Sequence, residues 1–184
     1  MCKQFPLLTY FDLKEFIIKE KQILIVEPNK TIRKNLENRA VASGEPEKIF
    51  EVIHRYIPGP SSDLPIRIYR PIKGAVLPAL VFFHGGGWVF SWTLRYAAQM
   101  SNIAAETGFV VIGINYQKAP EHKFPIPFDD CFATLEWVSA NAKALGINPD
   151  FIGVAGDSAG GNLASAVALK ARDEKGPKVA FQIL

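Results

Sequence analysis

The residues with the clearest chemical meaning form the sequence Gly-Asp-Ser-Ala-Gly at positions 156–160. A serine at this spacing between glycines is typical of an exposed nucleophile when a strand precedes the turn and a helix follows it. The apolar run 151–155 predicts a buried strand, and the pattern of 162–171 predicts a helix. Ser158 would then lie at a helix N-terminus, where the dipole favours developing negative charge.

The other residues of this motif have expected roles that follow from size and position. Gly156 and Gly160 would relieve crowding around a serine held in a strained backbone. Asp157 is expected to face away from the nucleophile and to order the turn. Because a Gly-x-Ser-x-Gly sequence arises by chance in roughly one chain in twenty, the motif needs support from elsewhere in the sequence.

A second motif, His-Gly-Gly-Gly-Trp at 84–88, follows directly after the apolar run 80–83. Its chance occurrence is on the order of one chain in a thousand. Three glycines after a buried strand free the backbone to turn its amides toward one point, as an oxyanion hole requires. We therefore expect the amides of Gly85, Gly86 and Ala159 to bind the oxyanion of a tetrahedral acyl intermediate.

His84 and Gly87 complete this second motif, for which two other interpretations stay open. One is a phosphate-binding glycine loop, and the other is a purely structural turn. No Lys-Ser/Thr pair follows the glycines, and no Gly-x-Gly-x-x-Gly pattern opens a helix, so the sequence disfavours nucleotide binding.

With three shorter stretches, the two motifs resemble the hormone-sensitive-lipase-like branch of the α/β-hydrolase superfamily over residues 50–184. The stretches that carry the resemblance are, in the family's order, His84-Gly85-Gly86-Gly87-Trp88, Asn115-Tyr116-Gln117-Lys118-Ala119-Pro120-Glu121-His122, Phe124-Pro125, Asp129-Asp130-Cys131 and Gly156 to Leu163. Two departures bear on the wall of the substrate pocket. Gln117-Lys118 stands where the family usually has Arg-Leu, and Ser91 stands where a glycine is frequent.

The resemblance implies an α/β fold, namely a partial α/β-hydrolase fold with a mostly parallel sheet flanked by helices. It assigns 1–45 to a helical cap-like segment and 46–184 to a hydrolase core that is incomplete at its C-terminus; an ordinary extension packed on the core is the alternative for 1–45. It also implies a carboxylic ester hydrolase, without cofactor or metal, that forms an acyl enzyme on Ser158. A small apolar ester is the expected substrate, with aromatic residues at the entrance or in the packing around it: Trp88, Phe90 and Trp92.

The histidine count limits this chemistry, because a serine hydrolase needs an imidazole within hydrogen-bond reach of the nucleophile. The chain has only His54, His84 and His122. In the resembled family His84 shapes the oxyanion loop, His122 follows Ala-Pro-Glu, and the triad acid and base come after the serine. Only residues 159–184 follow Ser158, so we expect no triad Asp or His in this chain, which would be an N-terminal portion.

Two adjacent acids, Asp129 and Asp130, are expected in the first turn of a helix rather than in a triad. The positive end of the helix dipole stabilises acidic side chains there.

Three functional hypotheses follow from the sequence. The chain could be part of an ester hydrolase, a non-catalytic small-molecule-binding protein of the same fold, or a non-functional truncation product. Retention of Ser158 favours the first over the second, because a receptor needs no activated hydroxyl.

Composition agrees with one globular unit. The chain has 184 residues, 48% hydrophobic content and a net charge of +3, with basic and acidic residues interspersed, which gives no indication of nucleic-acid binding. The two cysteines, Cys2 and Cys131, imply no disulfide framework. The sequence has no run of membrane-spanning length and no secretory leader pattern, so we expect a cytoplasmic protein.

Periodicity and turn residues predict the order of the elements. Two helices are expected before residue 45, then an antiparallel hairpin, then alternating parallel strands and helices. An apolar strand at 179–184 would leave an exposed edge, through which we expect self-association. The expected elements are helices at 11–26 and 31–42, hairpin strands at 49–57 and 64–70, strands at 79–83, 109–115 and 151–155, and helices at 94–107 and 128–145.

Overall fold

A computed structural model of the chain describes residues 46–92 and 94–184. In these residues six strands form one sheet in the order β1-β2-β4-β3-β5-β6, and three helices flank it. The elements are β1 (Glu51–Ile57), β2 (Leu64–Arg70), β3 (Leu77–Phe83), α1 (Leu94–Thr107), β4 (Val110–Ile114), α2 (Ile126–Ala140), β5 (Ile147–Gly156), α3 (Ala159–Asp173) and β6 (Gln182–Ile183). The sequence-based α/β prediction with a mostly parallel sheet is confirmed.

The strand pairing follows from the residue patterns. β1 and β2 form the expected antiparallel hairpin, and β2 pairs antiparallel with β4. β3 pairs in parallel with β4 on one side and with β5 on the other, as the alternation of apolar strands and helices predicts. The last strand is shorter than predicted, because it comprises only Gln182 and Ile183 of the expected segment 179–184. Just before it, the Ala180 amide donates to the Ile152 carbonyl of β5, and the Phe181 carbonyl accepts from the Val154 amide.

The helices cover the two faces of the sheet, and β3 shows how. Its alternate side chains Val81 and Phe83 pack in a cluster with residues of α2 and α3, whereas Leu80 and Phe82 pack in a second cluster with residues of α1. A strand buried on both faces reads as a continuous apolar run, since successive side chains point in opposite directions. Cys131 lies in the first cluster as a free, fully buried thiol.

The parallel register brings three segments to one edge of the sheet. Phe83 at the end of β3 pairs with Ile114 at the end of β4 and with Gly156 at the end of β5. The chain therefore leaves all three strands at the same level. The glycine loop, the segment after β4 and the serine turn begin as neighbours, although they are far apart in sequence.

The N-terminal prediction, which assigns a cap-like segment and two helices to residues 1–45, lies outside the described residues. Cys2 lies outside them as well. Within 46–92 and 94–184, no helix has both the length and the apolar character needed to cross a membrane.

The edge strand β6 carries exposed apolar side chains. Ile183 is 57% exposed and the adjacent Leu184 is 67% exposed. An uncovered apolar strand edge offers unpaired backbone groups and oily side chains to another chain.

We therefore expect the isolated chain to self-associate through β6 in sedimentation velocity experiments. Ile183→Lys should shift it toward the monomer, because a charge on an edge strand disfavours strand addition. Val76→Lys, at a residue that is 72% exposed but precedes β3, is the matched control and should leave self-association unchanged. A parent chain that sediments as a monomer and binds no apolar dye would contradict this prediction.

Candidate active site

The turn between β5 and α3 holds Ser158 in a backbone conformation that side-chain-bearing residues rarely adopt. Ser158 has φ 53° and ψ −119°, and it is the N-cap residue of α3. Its side chain is exposed, although the following residue, Ala159, is buried. Such a conformation costs about 1–3 kcal/mol and persists only where its surroundings enforce it. The result is a hydroxyl presented to solvent at the positive end of a helix dipole.

Close backbone contacts around Gly160 and Gly156 enforce this turn. A Cβ atom added at Gly160 would overlap the carbonyl oxygen of Phe83 and would lie 2.8 Å from the carbonyl carbon of His84. A Cβ atom added at Gly156 would lie 2.5 Å from the same Phe83 oxygen. Both contacts are with backbone atoms, which cannot rotate away. The predicted need for glycine at these two positions therefore has a specific steric cause.

The carbonyl groups of the glycine loop after β3 accept hydrogen bonds from defined donors. Tyr116 Oη donates to the His84 carbonyl at 2.7 Å, and His84 Nδ1 donates to the Gly85 carbonyl at 2.7 Å. The amides of Val89 and Phe90 donate to the Gly86 carbonyl. In a trans peptide the N–H points opposite to the preceding C=O. The bond from His84 to the Gly85 carbonyl therefore sets the direction of the Gly86 N–H.

Two backbone amides, one in the glycine loop and one in the serine turn, remain as donors for a ligand. In the described part of the chain, neither the Gly86 N–H nor the Ala159 N–H donates a hydrogen bond to another group. The Ala159 amide is the first of α3, so it has no partner inside the helix. Both are amides that the sequence predicts as oxyanion donors. Gly87, which lies between Gly86 and Trp88 in the glycine loop, has a positive φ of 60°.

The Gly85 N–H, which the sequence predicts as an oxyanion donor, already donates a hydrogen bond within the protein. Asp157 Oδ1 accepts from the Gly85 amide at 3.0 Å, and Oδ2 accepts from Tyr96 Oη at 2.9 Å. A carboxylate is a stronger acceptor than a substrate carbonyl. Asp157 thus ties the serine turn to the glycine loop, as its expected ordering role implies, and leaves Gly85 as a structural donor.

Tyr96, on α1, supports this carboxylate from a third element. Burial, and then the charge of Asp157, raise the pKa of Tyr96 to about 12. The phenol therefore keeps its proton and remains a hydrogen-bond donor. Sequence reasoning missed this role, since Tyr96 has the four-residue spacing of an apolar helix face with Met100 and Ala104, and nothing in that pattern indicates a hydroxyl with a partner.

His84 is a buried, neutral group behind the glycine loop. It is fully buried, and its ring stacks on Tyr116 with centroids 4.3 Å apart and an interplanar angle of 7°. Burial first, and then the charge of Lys118, lower the pKa of His84 to about 3. A carbonyl can only accept, so the proton of the neutral ring lies on Nδ1. Nε2 has no hydrogen-bond partner among the described residues.

The remaining two histidines and the two predicted helix acids lie on other elements of the fold. His54 is exposed on the edge strand β1, and His122 is half-buried in the segment before α2. Asp129 lies in the first turn of α2, as predicted, whereas Asp130, predicted in the same turn, lies just beyond it. Asp130 is fully buried, accepts the Gln117 amide at 2.9 Å, and has a pKa raised by burial.

Comparisons with known proteins agree with this geometry. The sequence profile of a family described as "alpha/beta hydrolase fold" matches residues 80–184. Carboxylesterase NlhH from Mycobacterium tuberculosis is 41% identical over 124 residues, which cover 67% of this chain and 39% of that protein. An arylesterase from Saccharolobus solfataricus is 42% identical over 113 residues, which cover 61% of this chain and 37% of that protein.

A solved esterase structure is also similar to this chain over most of its length. A hyperthermophilic esterase from Pyrobaculum calidifontis superposes with a TM-score of 0.80 at 36% identity, covering 94% of this chain and 55% of that one. The chain thus spans about two fifths of the length of the curated relatives it matches.

Substitution of Gly160 tests whether the backbone contact with Phe83 holds the serine turn. We expect Gly160→Ala to lower the free energy of unfolding by about 3 kcal/mol, because neither backbone can yield. Gly161→Ala is the matched control, since its added Cβ atom would lie 3.1 Å from the Gly156 oxygen, and we expect a change within about 1 kcal/mol. Equal effects of the two substitutions in urea unfolding would contradict this account.

The low pKa of His84 predicts a dependence of stability on pH. The pKa in the folded state lies below 6.5, so the unfolded chain takes up the proton first as the pH falls. The stability contributed by neutral His84 is complete above pH 6.5 and is lost toward pH 3, by up to about 1.4 kcal/mol per pH unit.

Urea unfolding of the parent and of His84→Asn, whose amide can still donate, checks this prediction. We expect the stability difference between the two to narrow from about pH 7 to about pH 4. A difference that stays constant over this range would show that His84 does not titrate as its burial requires.

Proposed function

The chain belongs to the α/β-hydrolase family, and we propose that it carries the nucleophile and the oxyanion-binding half of a carboxylic ester hydrolase site. One observation supports this most directly. The exposed hydroxyl of Ser158 stands at the N-terminus of α3, and the Ala159 amide beside it and the Gly86 amide of the glycine loop have no other partner within 46–92 and 94–184. A reacting carbonyl needs this combination of a nucleophile and amide donors for the developing oxyanion.

In the proposed reaction, Ser158 Oγ attacks the carbonyl carbon of an ester and forms a tetrahedral intermediate. The amides of Gly86 and Ala159 bind its oxyanion, and the amide of Gly85 stays on Asp157. Departure of the alcohol leaves an acyl enzyme, which water hydrolyses. The step requires a base for the Ser158 proton.

His84 and His54 are not suited to be this base. His84 uses Nδ1 to hold the Gly85 carbonyl, and its pKa of about 3 makes the ring too weak a base to accept a proton in neutral solution. His54 is exposed on β1, at the edge of the sheet opposite β6. We therefore propose that the triad acid and histidine are not among these residues, and that this chain alone turns over esters slowly.

A small apolar ester is the proposed substrate. Similar proteins include a carboxylesterase and an arylesterase, in keeping with such substrates. Of the three aromatic residues considered for the entrance, Trp92 packs edge-on to His84 with ring centroids 6.2 Å apart and carries the guanidinium of Arg67 on its face. Trp92 is thus engaged in packing, and Trp88 packs against the core as well. The half-buried Phe90 is then the aromatic residue of the three that we propose for contact with substrate.

Hydrolysis of p-nitrophenyl acetate with and without added imidazole tests the proposed function. Alone, the chain should accelerate hydrolysis by at most about 10³ to 10⁴ over water, and Ser158→Ala should change this little. Imidazole supplies the base from solution. With imidazole, the hydrolysis rate in the presence of the parent chain should exceed the rate with imidazole alone. The rate in the presence of Ser158→Ala should not exceed it.

Ser165→Ala, which removes a half-buried hydroxyl from α3, is the matched control and should respond to imidazole like the parent. Fast hydrolysis without imidazole that Ser158→Ala abolishes would show that the chain contains a base after all. Saturable ester binding with no Ser158-dependent rate under either condition would instead favour a non-catalytic binding protein.

A further inference from the structure

A buried ammonium group closes the turn that follows β4. Lys118 is only 9% exposed, and its Nζ donates to Asn115 Oδ1 at 2.6 Å and to the carbonyl oxygen of Tyr116. Nζ also lies 5.0 Å from the centroid of the Tyr116 ring, within the range of a cation–π contact. The side chain thus folds back on its own segment instead of reaching solvent.

Burial makes these bonds a constraint on the backbone. An ammonium taken out of water is costly unless acceptors surround it. Asn115 and the Tyr116 carbonyl supply acceptors, so a change in the path of residues 115–118 would cost the buried charge these hydrogen bonds. The segment is anchored at its start as well, since the Asn115 amide donates to the Pro65 carbonyl at 3.0 Å.

This segment holds the glycine loop at both ends. Tyr116 Oη donates to the His84 carbonyl at 2.7 Å, at the point where the loop leaves β3. The Ala119 amide donates to the Trp88 carbonyl at 2.9 Å, at the far end of the glycine run. Between these two bonds, His84 orients the Gly85 carbonyl while its ring rests against Tyr116.

We propose that Lys118 is a positioning residue for the oxyanion site, which acts by bracing residues 115–119 so that Tyr116 and Ala119 hold the glycine loop in place. Its assignment to the oxyanion site rests on the proposed function. Lys118 touches no reacting atom in this scheme. Its effect reaches the Gly86 amide through the segment that it closes and the loop that this segment binds.

The residue type matters because the resembled family usually has leucine at this position. A leucine fills similar space but cannot bind Asn115 or the Tyr116 carbonyl. In this chain the turn is therefore held by donor bonds that an aliphatic side chain does not replace. A methionine at 118 removes the donor and keeps a flexible apolar stem, whereas an arginine keeps a buried donor.

Hydrogen exchange of the Ala119 amide, measured by NMR, tests the brace independently of activity. We expect Lys118→Met to raise the exchange rate of this amide by about tenfold, since its bond to Trp88 then opens locally more often. Lys118→Arg should restore most of the protection. Lys143→Met, at an exposed lysine after α2, is the matched control and should leave the Ala119 amide unchanged.

Asn115→Ala removes the other half of the same contact and keeps the test decisive if one variant folds poorly. If Lys118 acts through Asn115, each single variant should speed exchange, and the double variant should be little worse than either one. Unchanged Ala119 exchange in Lys118→Met, or fully additive effects in the double variant, would overturn the proposal.

The imidazole-dependent, Ser158-dependent rate connects the brace to catalysis. It should fall by about tenfold in Lys118→Met and recover in Lys118→Arg, because small displacements of oxyanion donors weaken the transition state. A parent chain without any Ser158-dependent rate defeats the proposed function, whereas a parent rate that Lys118→Met leaves intact defeats only the inference about Lys118.

Discussion

The site depends on one contact between two backbones, where Gly160 at the start of α3 lies against the carbonyl end of β3 at Phe83. No side chain fits between them, so the helix approaches the sheet as closely as bare backbone allows. This approach forces the strained turn at Ser158 and brings it beside the loop that begins at His84. The exposed Ser158 hydroxyl and the amide donors near it thus arise from a single packing constraint rather than from two independent ones.

Hydrogen bonding then decides which backbone groups remain for a ligand. Backbone groups near the interior of a protein are almost always paired. In the glycine loop the carbonyls of His84, Gly85 and Gly86 all have donors, and the Gly85 amide is held by Asp157. Among the described residues, the amides of Gly86 and Ala159 remain, one in the glycine loop and one in the serine turn that Asp157 joins to it. Donors fixed in this way need little reorganisation when charge develops near them, which is the physical basis of oxyanion stabilisation.

His84 illustrates how surroundings assign a role to a residue type. An imidazole in water is a good general base near neutral pH, but desolvation disfavours its charged form. Packed against Tyr116 and beneath the loop, His84 is held neutral and serves as an oriented donor to the Gly85 carbonyl. A nearby positive charge on Lys118 acts in the same direction.

The sequence by itself determined the fold class, the hairpin, the helix at 94–107 and the two motifs, because strand and helix periodicity and glycine-rich turns are local properties. It also indicated which serine would be exposed. Tertiary structure alone decided that the Gly85 amide binds Asp157, that Asp130 is buried on Gln117, and that Tyr96 and Lys118 support the loop. Those partners come from different elements and meet only when parallel strands end at one edge, and no local pattern encodes such a meeting.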